Sequence, residues 1–227
     1  MHIPDGFINP AVSAGAGVLA AGGIAVAVNR TREVLGERQV PLAGLTAAFI
    51  FAVQMLNFPV AGGTSGHLLG GVLAAVLVGP WAGAMCLAVV LGVQALFADG
   101  GLTALGLNIT NIALVGALGG YVLFLGLRAV LGRSETAIVV SAGLAAGVSV
   151  VLAASAFTLE YALGGEGGAS VATVAGAMAG VHLLIGIGEG VITALALGAV
   201  MASRPDLVHG AAAVPGGRTP AATPGVV

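Results

Sequence analysis

Residues 137–159, AIVVSAGLAAGVSVVLAASAFTL, contain no charged side chain, no Pro and no Asn or Gln. As an α-helix this stretch rises about 34 Å, at ~1.5 Å per residue, which is enough to cross a hydrocarbon core of about 30 Å. Six further predominantly apolar runs surround it: 11–28, 42–58, 67–78, 80–97, 107–127 and 171–201. The third run is short. The seventh is long enough to tilt, or to be interrupted at its Gly-rich stretch 186–190. Gly79-Pro80 separates the third from the fourth, because proline restricts the residue before it and lacks an N–H. Merging these two would leave six spans in place of seven.

The remaining composition agrees. A soluble chain carries about 25% charged residues; this chain of 227 residues carries 7%, with 58% hydrophobic. It reads as an all-α integral membrane protein with seven transmembrane helices. All seven cations are Arg. A P-loop needs the lysine of GxxxxGK[ST], so ATP hydrolysis, if it drives this protein, falls to a partner. A net charge of -2 offers no basic surface for nucleic acid. One cysteine excludes an internal disulfide and any Cys-cluster metal site. There is no HExxH motif, nucleophile elbow or pair of catalytic carboxylates, so the chain does not read as an enzyme.

Charge placement orients the bundle. Arg30, Arg32 and Arg38 lie between runs one and two, Arg128 and Arg133 between five and six, and Arg204 and Arg218 after seven. With seven crossings all three groups fall on one side, which the positive-inside rule makes the cytoplasm. The amino terminus is then outside and the carboxyl terminus inside. No signal peptide is apparent before residue 11, and Met1 is expected to be retained because His2 is bulky. Residues 1–202 read as one transmembrane domain, and 203–227, rich in Pro, Gly, Ala and Thr, as a disordered cytoplasmic tail. In the first run Gly17, Ala21 and Ala25 recur at every fourth position, as do Ala16 and Ala20, giving stripes suited to close helix packing.

The chain has four histidines: His2, His67, His182 and His209. The topology places His2 and His67 together at the outer face. The Met1 α-amine, the His2 main-chain nitrogen and His2 Nδ1 can close a five- and a six-membered chelate ring on one cation, and His67 can fill a fourth position. Four nitrogens in a plane suit Ni(II) or Cu(II), and disfavour the oxygen-seeking Mg(II) and Ca(II). The turn-forming Ile3-Pro4-Asp5-Gly6 can fold the terminus back onto the bundle.

These residues resemble the CbiM/NikM family, the substrate-binding (S) components of energy-coupling-factor importers for cobalt and nickel. The resemblance runs from Met1 to about Met201. It rests on MHIPDG at 1–6, AFIFAVQM at 48–55, NFPV at 57–60, GTSGHLLGG at 63–71, GPWA at 79–82, VQALFADGGLTALG at 93–106 and GIGE at 186–189. It implies Met1, His2 and His67 as metal ligands and Ni2+ or Co2+ as transported substrate, with no organic cofactor. It also implies a paired ATPase, a transmembrane coupling (T) subunit and a small accessory membrane subunit as partners, in a prokaryotic inner membrane. On this resemblance Met1 and His2 close over the ion as a flap. A planar nitrogen set leans slightly towards nickel; cobalt uptake for cobalamin synthesis uses the same ligands. A proton-coupled secondary transporter is the rival reading.

Around the ligands, Asp5, Asn57, Thr64, Ser65, Asp99, Asn108 and Asn111 are candidates to hold the imidazoles; turn capping and interhelical contacts are the plainer alternatives. His182 and Glu189, seven residues apart on one helical face, are candidates for a relay, a second metal station or a contact with coupling machinery. His209 is expected to be inert. Cys86, Met55, Met85 and Met178 read as packing residues.

Overall fold

In the computed structural model, residues 1–34, 36, 39–60 and 65–211 are described. All seven apolar runs are helical there. Helix α1 (Pro10–Val34) begins with Pro in its first turn, and Asn9 caps it by accepting the Val12 N–H at 2.9 Å. Helix α2 (Gln39–Gln54) leads to a small antiparallel ribbon, β1 (Phe58–Pro59) with β2 (Ser65–Gly66). Then come α3 (Gly71–Val78) and α4 (Pro80–Leu96). A continuous segment follows, made of α5 (Leu105–Asn108), a π-helical stretch (Ile109–Gly119) and α6 (Gly120–Leu131). Helices α7 (Glu135–Gly164) and α8 (Val171–Ser203) start at Ser134 and Ser170, whose hydroxyls accept the N–H groups of Ala137 and Thr173.

Among the described residues four segments are long and apolar enough to cross a membrane: Pro10–Arg32, Leu105–Leu131, Glu135–Gly164 and Val171–Ser203. Their outer faces carry Leu19, Val130, Leu184 and Leu195, each more than 60% exposed, a surface suited to lipid rather than water. Helices α2 and α4 are apolar but shorter, at 16 and 17 residues. Helix α3 rises only about 12 Å at ~1.5 Å per residue, and all eight of its residues are buried. Gly79, with φ 94°, turns the chain sharply, and α3 and α4 fold back on each other. A Cβ at Gly83 would lie 2.7 Å from the Ala75 main-chain nitrogen, so the two do not run on as one helix.

Helix α8 is uninterrupted, so of the two alternatives for the long seventh run, a tilt or a break at 186–190, the break does not occur. Two of its glycines, Gly186 and Gly190, serve packing. A Cβ at Gly186 would meet the Gly147 carbonyl oxygen at 2.7 Å, and one at Gly190 the Gly143 oxygen at 2.8 Å; α7 and α8 thus approach backbone to backbone. In α1, Ala16 and Ala20 are buried, whereas Ala21 and Ala25 face outward.

The start of the expected tail is packed. Pro205–Leu207 and His209–Ala211 form two short 3-10 turns. Val208 and Ala211 are buried, and the Arg128 guanidinium donates to the Gly210 carbonyl. His209 lies beside Gly79. The apolar side chains at 208 and 211 supply the burial that the Pro- and Gly-rich composition obscured. The rest of that tail lies outside the described residues.

Candidate metal centre

The first nine residues are folded onto the bundle. Ile3 is fully buried. Its N–H donates to Asn108 Oδ1 at 2.8 Å, and its carbonyl accepts from Asn108 Nδ2 at 3.2 Å and from the Gly101 N–H at 2.9 Å. The Asn108 carboxamide thus pairs with the chain as a neighbouring strand would. Asp5 Oδ1 accepts both the main-chain N–H and the hydroxyl of Thr103. Phe7 packs its ring against Phe157 and Tyr161, and Ile8 bridges to Gly165. These contacts leave Met1 only 2% exposed.

At the head of this segment His2 pairs with Ser65 as an isolated bridge. Its ring stacks on that of His67, with centroids 4.1 Å apart and planes 28° from parallel. Both rings are buried. His67 Nδ1 lies 2.8 Å from the Leu68 carbonyl oxygen, which only accepts, so the proton sits on Nδ1 and the lone pair on Nε2. Nε2 has no hydrogen-bond partner among the described residues. His2 Nε2 lies 3.2 Å from Gln94 Oε1. With that nitrogen donating, Nδ1 holds the lone pair, and it faces Asp99 Oδ1 at 3.1 Å. In the other tautomer, Nδ1–H donates to Asp99 and Nε2 accepts from the Gln94 amide turned over.

Burial pushes the Met1 amine well below its ordinary 8.0, with the Asp99 carboxylate opposing. His2 is lowered by burial first, again against a hydrogen bond to Asp99. Asp99 itself is held below the usual carboxylate range by His2. The amine and the His2 ring are thereby biased to their neutral forms, which a metal requires. Among the described residues no three His, Cys, Asp or Glu side chains form a metal-holding group. An ion held here would need main-chain nitrogen as well.

Of the other candidates, Asp99 touches His2, and Asn57 Nδ2 reaches Asp99 Oδ2 at 3.5 Å. Ser65 lies on the strand that meets His2. Asp5 and Asn108 hold the terminal segment rather than an imidazole. Asn111 donates to Glu160 at 2.6 Å, away from the histidines. Thr64 lies outside the described residues. His182 Nδ1 lies 2.9 Å from the Met178 carbonyl, one turn back, and its Nε2 has no partner among the described residues. Glu189 accepts the N–H groups of Leu69 and Gly70 at 2.8 and 2.7 Å.

Two glutamines were missed. Gln94 holds His2, and Gln54 Nε2 donates to the Leu69 carbonyl at 2.7 Å. Both are fully buried within apolar helices, and a buried amide inside an apolar run is a signal readable from sequence.

A bundle of long apolar helices whose folded amino terminus stacks His2 on His67 defines a class of membrane proteins with buried imidazoles under their outermost segment. The sequence model described as "Cobalt uptake substrate-specific transmembrane region" matches residues 2–207, and the chain belongs to that family, CbiM. The cobalt transport protein CbiM of Sorangium cellulosum is 37% identical over 92% of this chain and 94% of its own length. The fused nickel transport protein NikMN of Rhodobacter capsulatus is 38% identical over 71% of this chain, a match spanning 47% of that protein. A crystal structure of a truncated transition metal transporter, 32% identical, superposes with a TM-score of 0.81 over 89% of this chain and 99% of its own. The chain is therefore a membrane component of cobalt or nickel uptake.

Proposed function

We propose that the chain is the substrate-capturing subunit of an ATP-driven, energy-coupling-factor importer, taking Ni2+ or Co2+ from the outer face. The Met1 α-amine, the His2 main-chain nitrogen and His2 Nδ1 form the chelate, and His67 Nε2 completes it. In this reading the chain crosses the membrane seven times, the short α3 making its crossing together with the non-helical residues 65–70 that lead into it, with the amino terminus outside and the carboxyl end in the cytoplasm of a prokaryotic cell. Residues 1–202 act as one unit. ATP is hydrolysed by partner ATPases that work through a transmembrane coupling subunit, with a small accessory membrane subunit beside them.

The observation that carries the reading is the single unpaired nitrogen of His67, 4.1 Å ring to ring from His2 and beneath a buried Met1. A buried lone pair without a donor costs about 1–3 kcal/mol, and placing His67 Nε2 on the cation as the fourth nitrogen removes that cost. A planar nitrogen set leans towards nickel, and cobalt uptake for cobalamin synthesis would use the same ligands. The proton-relay reading finds less support, because both Glu189 oxygens already accept main-chain N–H groups.

Nickel titration of the detergent-purified protein tests the ligand set. His67→Ala should weaken binding by at least about tenfold, roughly 1.4 kcal/mol, while the protein stays folded; His182→Ala should change it little. The opposite pattern would place the ion elsewhere.

A further inference from the structure

The Glu189 carboxylate is 3% exposed in the middle of α8, and among the described residues no Arg lies within ion-pair distance of it. Each of its oxygens instead accepts one main-chain N–H: Oε2 from Leu69 at 2.8 Å and Oε1 from Gly70 at 2.7 Å. These two amides lie just ahead of α3, which begins at Gly71, so the negative charge also faces the positive end of that helix. Gly70 stands at φ 72°, a left-handed conformation that turns both N–H groups to one side. From α2, Gln54 Nε2 holds the carbonyl of Leu69 at 2.7 Å. Residues 69 and 70 are thus clamped from two helices. The stretch begins at His67, whose Nδ1–H is tied to the carbonyl of Leu68. The ring direction of His67 is therefore fixed by the same peptide units that Glu189 grips.

Each oxygen is held by one main-chain N–H, so the carboxylate is fixed in orientation across the two amides. We infer that Glu189 is the positioning residue of the metal centre: its fork on the Leu69 and Gly70 amides aims His67 Nε2 at the ion held by the amino-terminal chelate. The role makes α8 part of the site without contributing a ligand. Groups that orient ligating imidazoles change metal affinity by about 10- to 100-fold when removed. The inference rests on the reading of His67 as a ligand.

A double-mutant cycle separates positioning from a general effect on the fold. Nickel affinity and the nickel ligand-field absorption are measured in detergent for the unaltered protein, Glu189→Gln, His67→Ala and the double variant. Glutamine keeps the shape, but its NH2 must face one of the two N–H donors. The expected result is a loss of about 10- to 100-fold for Glu189→Gln, with an absorption spectrum like that of His67→Ala. In the double variant the loss should be no greater than for His67→Ala alone. Unchanged affinity in Glu189→Gln, or a loss that multiplies with that of His67→Ala, overturns the assignment and leaves His67 as a ligand. Unchanged affinity in His67→Ala instead overturns the ligand reading itself, and this inference with it. Should Glu189→Gln not fold, Glu189→Asp, which keeps the charge but withdraws it by one methylene, is read through the same cycle. Failure of both variants to fold would make Glu189 a residue of the fold and overturn the positioning role.

Discussion

His67 presents one nitrogen, and the peptide chain decides which: the Leu68 carbonyl takes the Nδ1 proton and leaves Nε2 bare. The Met1 amine and the His2 ring are prepared in a different way, by burial that disfavours their charged forms. Both shifts are downward, so acidification works against the docked segment. Docking is undiminished above about pH 8, where a free amine is already neutral, and is eroded as pH falls from there towards the lowered values. In the proposed chelate, nickel binding near pH 7 should release about one proton, from the His2 amide, because the buried amine has none to give. A free Met-His peptide should release about two under the same conditions. Calorimetry in buffers of different ionisation enthalpy counts these protons, and about two from the protein would contradict a neutral amine. At this scale the sequence was partly legible. The proposed chelation by Met1 and His2 is drawn from covalent ring size in the first two residues, and the structure adds that both are buried beside His67. The grip of Glu189 on the Leu69 and Gly70 amides was not legible, because main-chain N–H groups leave no complementary side chain in the sequence.

Among the elements, α7 and α8 depend on glycine in a way opposite to first expectation. Glycine lowers helix propensity by about 1 kcal/mol per residue, which is why 186–190 reads as a break. In the folded protein that cost is offset by backbone contact with Gly143 and Gly147. Gly186→Leu should therefore destabilise the bundle by about 1–3 kcal/mol, seen as a lower melting temperature in detergent. Gly15→Leu should change it little, since a Cβ there has nothing within 4 Å. Equal effects would remove the packing argument. The amino-terminal segment has a comparable dependence on Asn108, which pairs with both polar groups of Ile3. Asn108→Ala should raise the nickel dissociation rate more than it lowers the association rate, a split that stopped-flow measurements resolve. The existence of the helices was legible from apolar runs alone. The shortness of the third run was legible as well, and α3 has eight residues; the π-helical stretch before α6 was not, because hydropathy records burial and this feature depends on what the neighbouring helices leave room for.

For the whole molecule, the ends of the bundle are chemically distinct. Met1, the 99–103 turn and the 164–166 turn gather at one end. The Gly79 turn, Arg128 and the 205–211 turns gather at the other. The positive-inside rule assigns the Arg-bearing end to the cytoplasm, and the proposed capture site then faces outward. A membrane-impermeant thiol reagent on intact cells should label Glu166→Cys, which is exposed, and should reach Ser203→Cys only after permeabilisation; the native Cys86 is buried and gives little background. The reverse pattern would invert the importer. Beneath all of this lies the claim that the chain's own first nitrogen binds the substrate. Nickel titration of a variant with one residue added ahead of Met1 tests it most directly. The account predicts that affinity falls by roughly two orders of magnitude, about 2.7 kcal/mol, and that the ligand-field spectrum changes while the protein remains folded. An extended protein that binds nickel as tightly as the original, with the same spectrum, would contradict it.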